Sequence, residues 1–183
     1  MSPTNLYFVR HGETNSNLQK NVVRFNDRLT ELGRKQAQEL AERISNISID
    51  IILASPHKRT IETAEIIAKI ISKDIQEVSL LREKKWPREI EGKPLKDSEV
   101  EKVFDLLKEK NASDPTWHYS DEENFFDIKK RAGLFIEYIS KLTYANILAI
   151  SHEYFIKMVL ADFFQFTSHL HDARTGSLPT QGG

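Results

Sequence analysis

The chain has 183 residues, 39% of them apolar, which suffices for one ordinary hydrophobic core and makes a single domain the expectation. Lysine and arginine total 26 against 27 for aspartate and glutamate, so the net charge of -1 offers no basic excess to draw in nucleic acid or anionic lipid. With no cysteine there is no disulfide framework, thiolate zinc site or cysteine nucleophile, and His, Ser, Thr, Asp, Glu and Lys remain as chemical groups.

Met1 to Asn5 are polar without a basic leader, and no apolar run approaches the roughly 18 residues that cross a bilayer, so a soluble, cytoplasmic protein with no membrane partner is expected. Three short apolar runs, Leu6 to Val9, Ile49 to Ala54 and Ile147 to Ile150, read as buried strands, each followed at once by polar residues. Between the first two, Thr30 is placed to cap a helix carrying Leu32, Ala37, Leu40, Ala41 and Ile44 at helical spacing. Ile61, Ala64, Ala68 and Ile71 mark a second helix, and such crossovers build a parallel sheet. Residues 75 to 97 read as an irregular excursion with one short strand near Val78 to Leu81. The pair Gly92-Lys93 there is followed by Pro94 and lacks the upstream glycine of a nucleotide P-loop, which argues against an ATPase. Ser98 with Glu101 predicts a capped helix through Lys108, and Ser120 with Glu123 a longer one containing Phe125, Ile128, Leu134, Phe135, Tyr138 and Leu142. Tyr154 to Phe166 suits a buried helix. The domain is expected over 1–166 with a lid around 75–121, and 167–183 is left unassigned, Thr175 to Gly183 having linker composition.

In an open parallel sheet, ligands bind beyond the carboxyl ends of the strands. Those ends lead into Arg10-His11-Gly12-Glu13-Thr14, Ser55-Pro56-His57-Lys58-Arg59 and Ser151-His152-Glu153. Two histidines and two arginines meeting there suit a dianionic ligand, because guanidinium groups grip phosphate oxygens in a bidentate fork. A neutral imidazole is a competent nucleophile near pH 7, and its attack on phosphorus gives a phosphohistidine with no need for a metal or other cofactor. The arginines offset charge on the equatorial oxygens, and a carboxylic acid protonates the departing oxygen.

Leu6 to Thr14, with Asn17 three residues on, resembles the signature of the histidine phosphatase (phosphoglycerate mutase-like) superfamily. Ser55-Pro56 with Arg59 and Thr63-Ala64 resembles its second block, Leu81-Arg82-Glu83 followed by Glu91-Gly92 its third, and Ser151-His152 its fourth. The resemblance covers roughly residues 5 to 160 and implies an α/β fold, a three-layer α/β/α sandwich around a mostly parallel sheet. It implies that His11 is the nucleophile, that Arg10 and Arg59 bind the phosphoryl oxygens, that His152 stabilises the transferred group, that Glu83 is the proton donor, and that the Asn17 amide touches phosphate. Glu89 and Glu91 are alternatives to Glu83, because Lys84-Lys85-Trp86-Pro87-Arg88 replaces the aromatic and glycine common there.

The expected function is a metal-independent phosphomonoester hydrolase acting on a small phosphate ester. The alternatives are a phosphoglycerate mutase and a non-catalytic phosphate-recognising module. Arg24-Phe25-Asn26 stands where mutases place glycine and tryptophan, which favours hydrolysis. Arg82 to Lys96 holds six basic and three acidic residues, so Lys84, Lys85 or Arg88 is a candidate to favour a second anionic group on the substrate. His57, His118, His169 and His171 read as polar loop residues, Ser55 as a turn or capping residue, and Trp86 and Trp117 as hydrophobic anchors.

Overall fold

A computed structural model describes residues 4–161. The chain forms β1 (Asn5–Arg10), α1 (Asn15–Gln19), α2 (Glu31–Ile44), β2 (Ile51–Ala54), α3 (Lys58–Ile71), β3 (Ile75–Glu77), α4 (Ser98–Ser113), α5 (Phe125–Ser140), β4 (Asn146–Ser151) and a helical stretch α6 over 153–161. The four strands make one sheet in the order β1-β4-β2-β3, every pairing parallel.

Alternation along the strands builds three layers, because successive side chains leave a strand on opposite faces. Leu6, Phe8, Ile51, Leu53, Ile147 and Ala149 pack on one side with Phe135 of α5 and Phe155, Met158 and Val159 of α6. Tyr7, Val9, Ile52, Ala54, Leu148 and Ile150 pack on the other with Ala41 of α2 and Ala64 and Ile67 of α3. A smaller cluster of Val22, Ile90, Val100, Val103 and Leu107 lies under α4, with Trp86 and Trp117 anchored against it as expected.

Several local expectations shift. The second strand begins at Ile51 rather than Ile49, and Leu32, expected in the buried stripe of α2, is 52% exposed. The short strand expected near Val78 to Leu81 is displaced to Ile75–Glu77, and Ser79–Leu81 winds into a 3-10 turn that places the fully buried Leu81 against the core. Asp97, not Ser98, caps α4, because its carboxylate accepts the backbone N–H of both Glu99 and Val100. Likewise Asn124 caps α5 in a reciprocal box with Asp127, while the Glu122 carboxylate is taken by the N–H groups of Tyr119 and Ser120. Phe125 and Leu134 of α5 are 41% and 45% exposed. Helix α1, absent from the sequence reading, is a single turn held by the Thr14/Asn17 capping box. The helix expected over Tyr154 to Phe166 is present to residue 161; its remainder, the 167–183 tail, His169 and His171 lie outside the described residues. Among the described residues no helix is long and apolar enough to cross a membrane.

Candidate active site

Because β4 lies between β1 and β2, with Arg10 in register with Ser151 and Ala54 with Ile150, the three strand tips end side by side. The ladder runs just past the tips: His11 N–H donates to Ser151 O at 3.1 Å and Ser55 N–H to Ile150 O at 3.0 Å. The loop after β1 is pressed onto the start of α2, where a Cβ on Gly12 would stand 2.3 Å from Gly33 O, and one on Gly33 would stand 2.2 Å from Glu13 O. Only two residues without side chains allow that approach. Thr63 then ties the loop to α3, its Oγ1 accepting Gly12 N–H at 3.2 Å while donating to Arg59 O at 2.7 Å.

Arg59, in the first turn of α3, is fully buried and its guanidinium reaches three imidazoles. Nε–H donates to His11 Nε2 at 3.1 Å, Nη2 lies 3.1 Å from His152 Nδ1 and 3.3 Å from His57 Nδ1, and Nη1–H donates to Arg24 O at 2.8 Å. A guanidinium only donates, so each facing nitrogen presents a lone pair. This fixes the tautomers. His11 carries its proton on Nδ1, which donates to Gly12 O at 2.7 Å, and leaves Nε2 unprotonated. His152 carries its proton on Nε2, 2.9 Å from Ser55 Oγ and 3.0 Å from His57 Nδ1. Burial first and Arg59 second push His11 and His57 down to about 3, and the same two causes hold His152 well below its ordinary value. All three rings are neutral at physiological pH. Burial brings Arg59 down only to about 10, so it stays charged.

Glu83 follows the Ser79–Leu81 turn, and burial raises its carboxyl above the ordinary range. Its Oε1 accepts the N–H of Lys84 at 2.9 Å and of Phe155 at 3.3 Å, and the backbone N–H of Tyr154 also bonds the carboxyl. Arg131 of α5, which the sequence reading did not single out, positions this segment. Its Nη1 donates to the carbonyls of Leu80 at 2.8 Å and Arg82 at 2.7 Å, Nη2 reaches Glu83 O at 3.3 Å, and the fork grips Glu123 at 2.6 and 2.7 Å. The signal was an arginine on the buried stripe of α5 beside Ile128, Ala132 and Phe135.

Two cavities flank the cluster. The smaller, about 180 Å³, is lined by Arg10, His11, Asn17 and Glu83 among others. The Arg10 side chain is 48% exposed and paired with Glu153 at 2.6 Å. Asn17 spends Oδ1 on Thr14, leaving its amide N–H groups without a partner among the described residues. The larger cavity, about 330 Å³, is lined by Arg59, His57, Phe25, Arg24, Arg82 and Trp86 among others, and Glu83 borders both. Of the alternative acids, Glu89 is exposed and accepts from Ser120 Oγ at 3.0 Å, away from both cavities. Glu91 lines only the larger.

One expectation needs correction. His57 is not a polar loop residue: it is 8% exposed, with its ring centroid 4.6 Å from that of His152 and 4.5 Å from that of Phe25. A histidine met between Pro56 and Lys58 carries no periodic signal, and the β1-β4-β2 order alone brings it inward. The basic run after Arg82 reaches the larger cavity, which Lys84, Lys85 and Arg88 all line, but these cations have partners there. Lys84 is buried over Trp86 and Tyr154 at 4.5 and 4.9 Å, and Lys85 and Arg88 both pair with Asp121. Of the guanidinium groups lining the larger cavity, those of Arg24, Arg59 and Arg82 have no carboxylate partner among the described residues. His118 is a surface residue as expected, paired with Asp127 at 2.7 Å.

The sequence pattern of the histidine phosphatase superfamily, branch 1, matches residues 6–177. The chain belongs to that superfamily. As a histidine phosphatase superfamily member it is 42% identical over 79 residues to a Proteus mirabilis protein named probable phosphoglycerate mutase GpmB, covering 43% of this chain and 37% of that one. It is 39% identical over 95 residues to the uncharacterized phosphatase PhoE of Bacillus subtilis, covering 51% and 49%. Each alignment thus spans half or less of the curated relative. Among solved structures, YhfR of Bacillus stearothermophilus superposes with a TM-score of 0.76 at 27% identity, covering 88% of this chain and 80% of that one. An Entamoeba histolytica phosphoserine phosphatase mutant in complex with phosphoserine superposes with a TM-score of 0.73 at 26% identity, covering 88% and 80%. Phosphatases and mutases both stand among these relatives.

Proposed function

We propose that this superfamily member hydrolyses small phosphomonoesters without a metal, through a phosphohistidine on His11. The observation that carries the reading is the tautomer lock on His11: Nδ1–H is tied to Gly12 O at 2.7 Å, and the Nε2 lone pair points at the Arg59 guanidinium 3.1 Å away. An anionic phosphoryl group drawn to Arg59 therefore meets an unprotonated nucleophile. Nε2 attacks phosphorus, the phosphorus–oxygen ester bond breaks, and the leaving oxygen takes the proton of Glu83, whose burial favours the protonated acid. Water then attacks phosphorus, the phosphorus–nitrogen bond breaks, and the Glu83 carboxylate recovers a proton. Arg10 and Arg59 offset the charge of the transferred group, Asn17 offers its amide, and His152 stabilises the group from the opposite side.

The 330 Å³ cavity suits a leaving group of metabolite size, and Arg24 and Arg82 favour one carrying its own anionic group. The test is a panel of phosphate esters, assayed with and without chelator, on the native protein and on His11→Ala. We expect acid-labile phosphoenzyme, rates unchanged by chelation, faster turnover of esters with a second anion, and at least a thousandfold loss in His11→Ala, on the order seen when a nucleophile is removed. Phosphoglycerate interconversion faster than phosphate release would make it a mutase instead. Ester binding without any phosphoenzyme would make it a recognition module.

A further inference from the structure

His57 has no part in the scheme above, yet it is buried in direct contact with His152, Nδ1 to Nε2 at 3.0 Å. In the free site His152 Nδ1 accepts from Arg59, and its single proton sits on Nε2 between Ser55 Oγ and His57 Nδ1. A tetrahedral dianion that takes over the Arg59 N–H groups reverses what His152 must do, because a lone pair facing an oxyanion is repulsive and Nδ1 must then donate. A hydroxyl neighbour would permit this by a simple change of tautomer, since Ser55 Oγ donates as readily as it accepts. His57 does not. Its Nδ1 faces Nε2 with a lone pair, and two facing lone pairs at 3.0 Å have no hydrogen between them. If both rings switched tautomer together and stayed neutral, His57 Nδ1–H would point at the Arg59 Nη2–H, 3.3 Å away.

We propose that His57 couples anion binding to protonation: a tetrahedral dianion entering beside His11 and Arg59 draws one proton from solvent onto the His57–His152 pair. The proton adds to His152 Nδ1, which then donates a hydrogen bond to the anion in place of accepting one from Arg59; Nε2–H remains between the rings, and no other covalent bond changes. The inference rests on the reading of His11, Arg59 and His152 as a phosphoryl site. The charged and titratable groups facing the pair are Arg59 of α3, His11 after β1, Arg131 of α5, Arg82 after the 3-10 turn, and Glu83 at the cavity wall. In the free site burial first, then Arg59 and Arg131, with Arg82 acting on His57 as well, keep both rings neutral. A dianion against Arg59 reverses the local sign. His57 is thus a positioning residue for His152, and it converts that ring into an imidazolium when substrate is present.

The probe is tungstate, a tetrahedral dianion that does not itself titrate near or above neutral pH. Calorimetric titration at neutral pH, in buffers of different ionisation enthalpy, counts the protons taken up. The native protein is expected to take up about one, and its tungstate affinity to weaken up to about tenfold per pH unit above neutrality. His57→Leu is expected to take up close to none and to show an affinity that no longer depends on pH; His57→Asn serves if the leucine variant does not fold. Nitrogen NMR of the imidazoles should show His152 protonated on both nitrogens only in the native complex. Zero uptake by the native protein, or equal uptake by native and variant, would overturn the proposal and leave the phosphatase reading standing. No tungstate binding at all, with no phosphoenzyme, would remove the phosphatase reading itself.

Discussion

On one side of the cleft the strand tips bury their chemistry: Arg59 and His152 are fully buried, and their partners come from β1, β2, β4 and the first turn of α3. On the other side, residues 82 to 123, irregular but for α4, form a wall over a small cluster shared with Val22, with exposed ion pairs such as Lys85–Asp121 and Lys93–Glu99. The first wall is positioned by a parallel ladder in which one register slip would move every side chain. The second is held at a few points, chiefly the Arg131 clamp on the carbonyls of residues 80 to 83 and the pairing of Val22 with Gly92 and Lys93. A phosphoryl group needs fixed charge and geometry, whereas the variable part of a substrate needs a surface that can change without disturbing the sheet.

The contrast can be broken most sharply at its centre. Arg59→Met removes the donor to three imidazoles, and kcat/KM is expected to fall by about a thousandfold, the upper range for loss of one electrostatic donor. Burial, the first cause holding the His11 pKa down, remains, but loss of Arg59, the second, should let it rise part of the way, so the acid limb of the pH profile moves to higher pH; a limb that stays in place would contradict the share assigned to Arg59. Acid should next expose the buried wall. His11 and His57 sit near 3 in the folded chain and near 6.5 when unfolded, so the unfolded chain binds more protons between those values. Stability is therefore fully present above about 6.5 and is lost as pH falls toward 3; urea midpoints measured down that range check it, and a flat curve would refute the burial of neutral rings.

Arg131→Met tests the join between the two walls. It strands Glu123 and frees the segment carrying Glu83, with an expected cost of about 3 kcal/mol in denaturant unfolding and a fall in kcat larger than any rise in KM. The smallest effect belongs to the outer wall. Asp121→Ala breaks two exposed ion pairs, with Lys85 and Arg88, and should change stability by less than about 1 kcal/mol. A larger loss would mean that the excursion is structural rather than adjustable.

Much of this was legible in advance. The three apolar runs became β1, β2 and β4, Thr30 caps α2 as its position suggested, and His11, Arg59 and His152 converge. The sequence missed by one to four residues where caps compete locally, as at Asp97 and Asn124, because several polar residues in a row can each satisfy the first turn. It put the cations after Arg82 near the cavity but not their pairing, because charge counts do not record which lysine is paired or folded over a ring.

The order of residues along the chain determined where strands end and which reactive side chains leave them, since hydrophobic period and helix-breaking residues act over a few positions. Which of those side chains touch was decided only when β4 inserted between β1 and β2. Residues 11, 57, 59 and 152 are separated by up to 141 positions, and their burial, tautomers and altered acidity follow from contacts between elements distant in sequence.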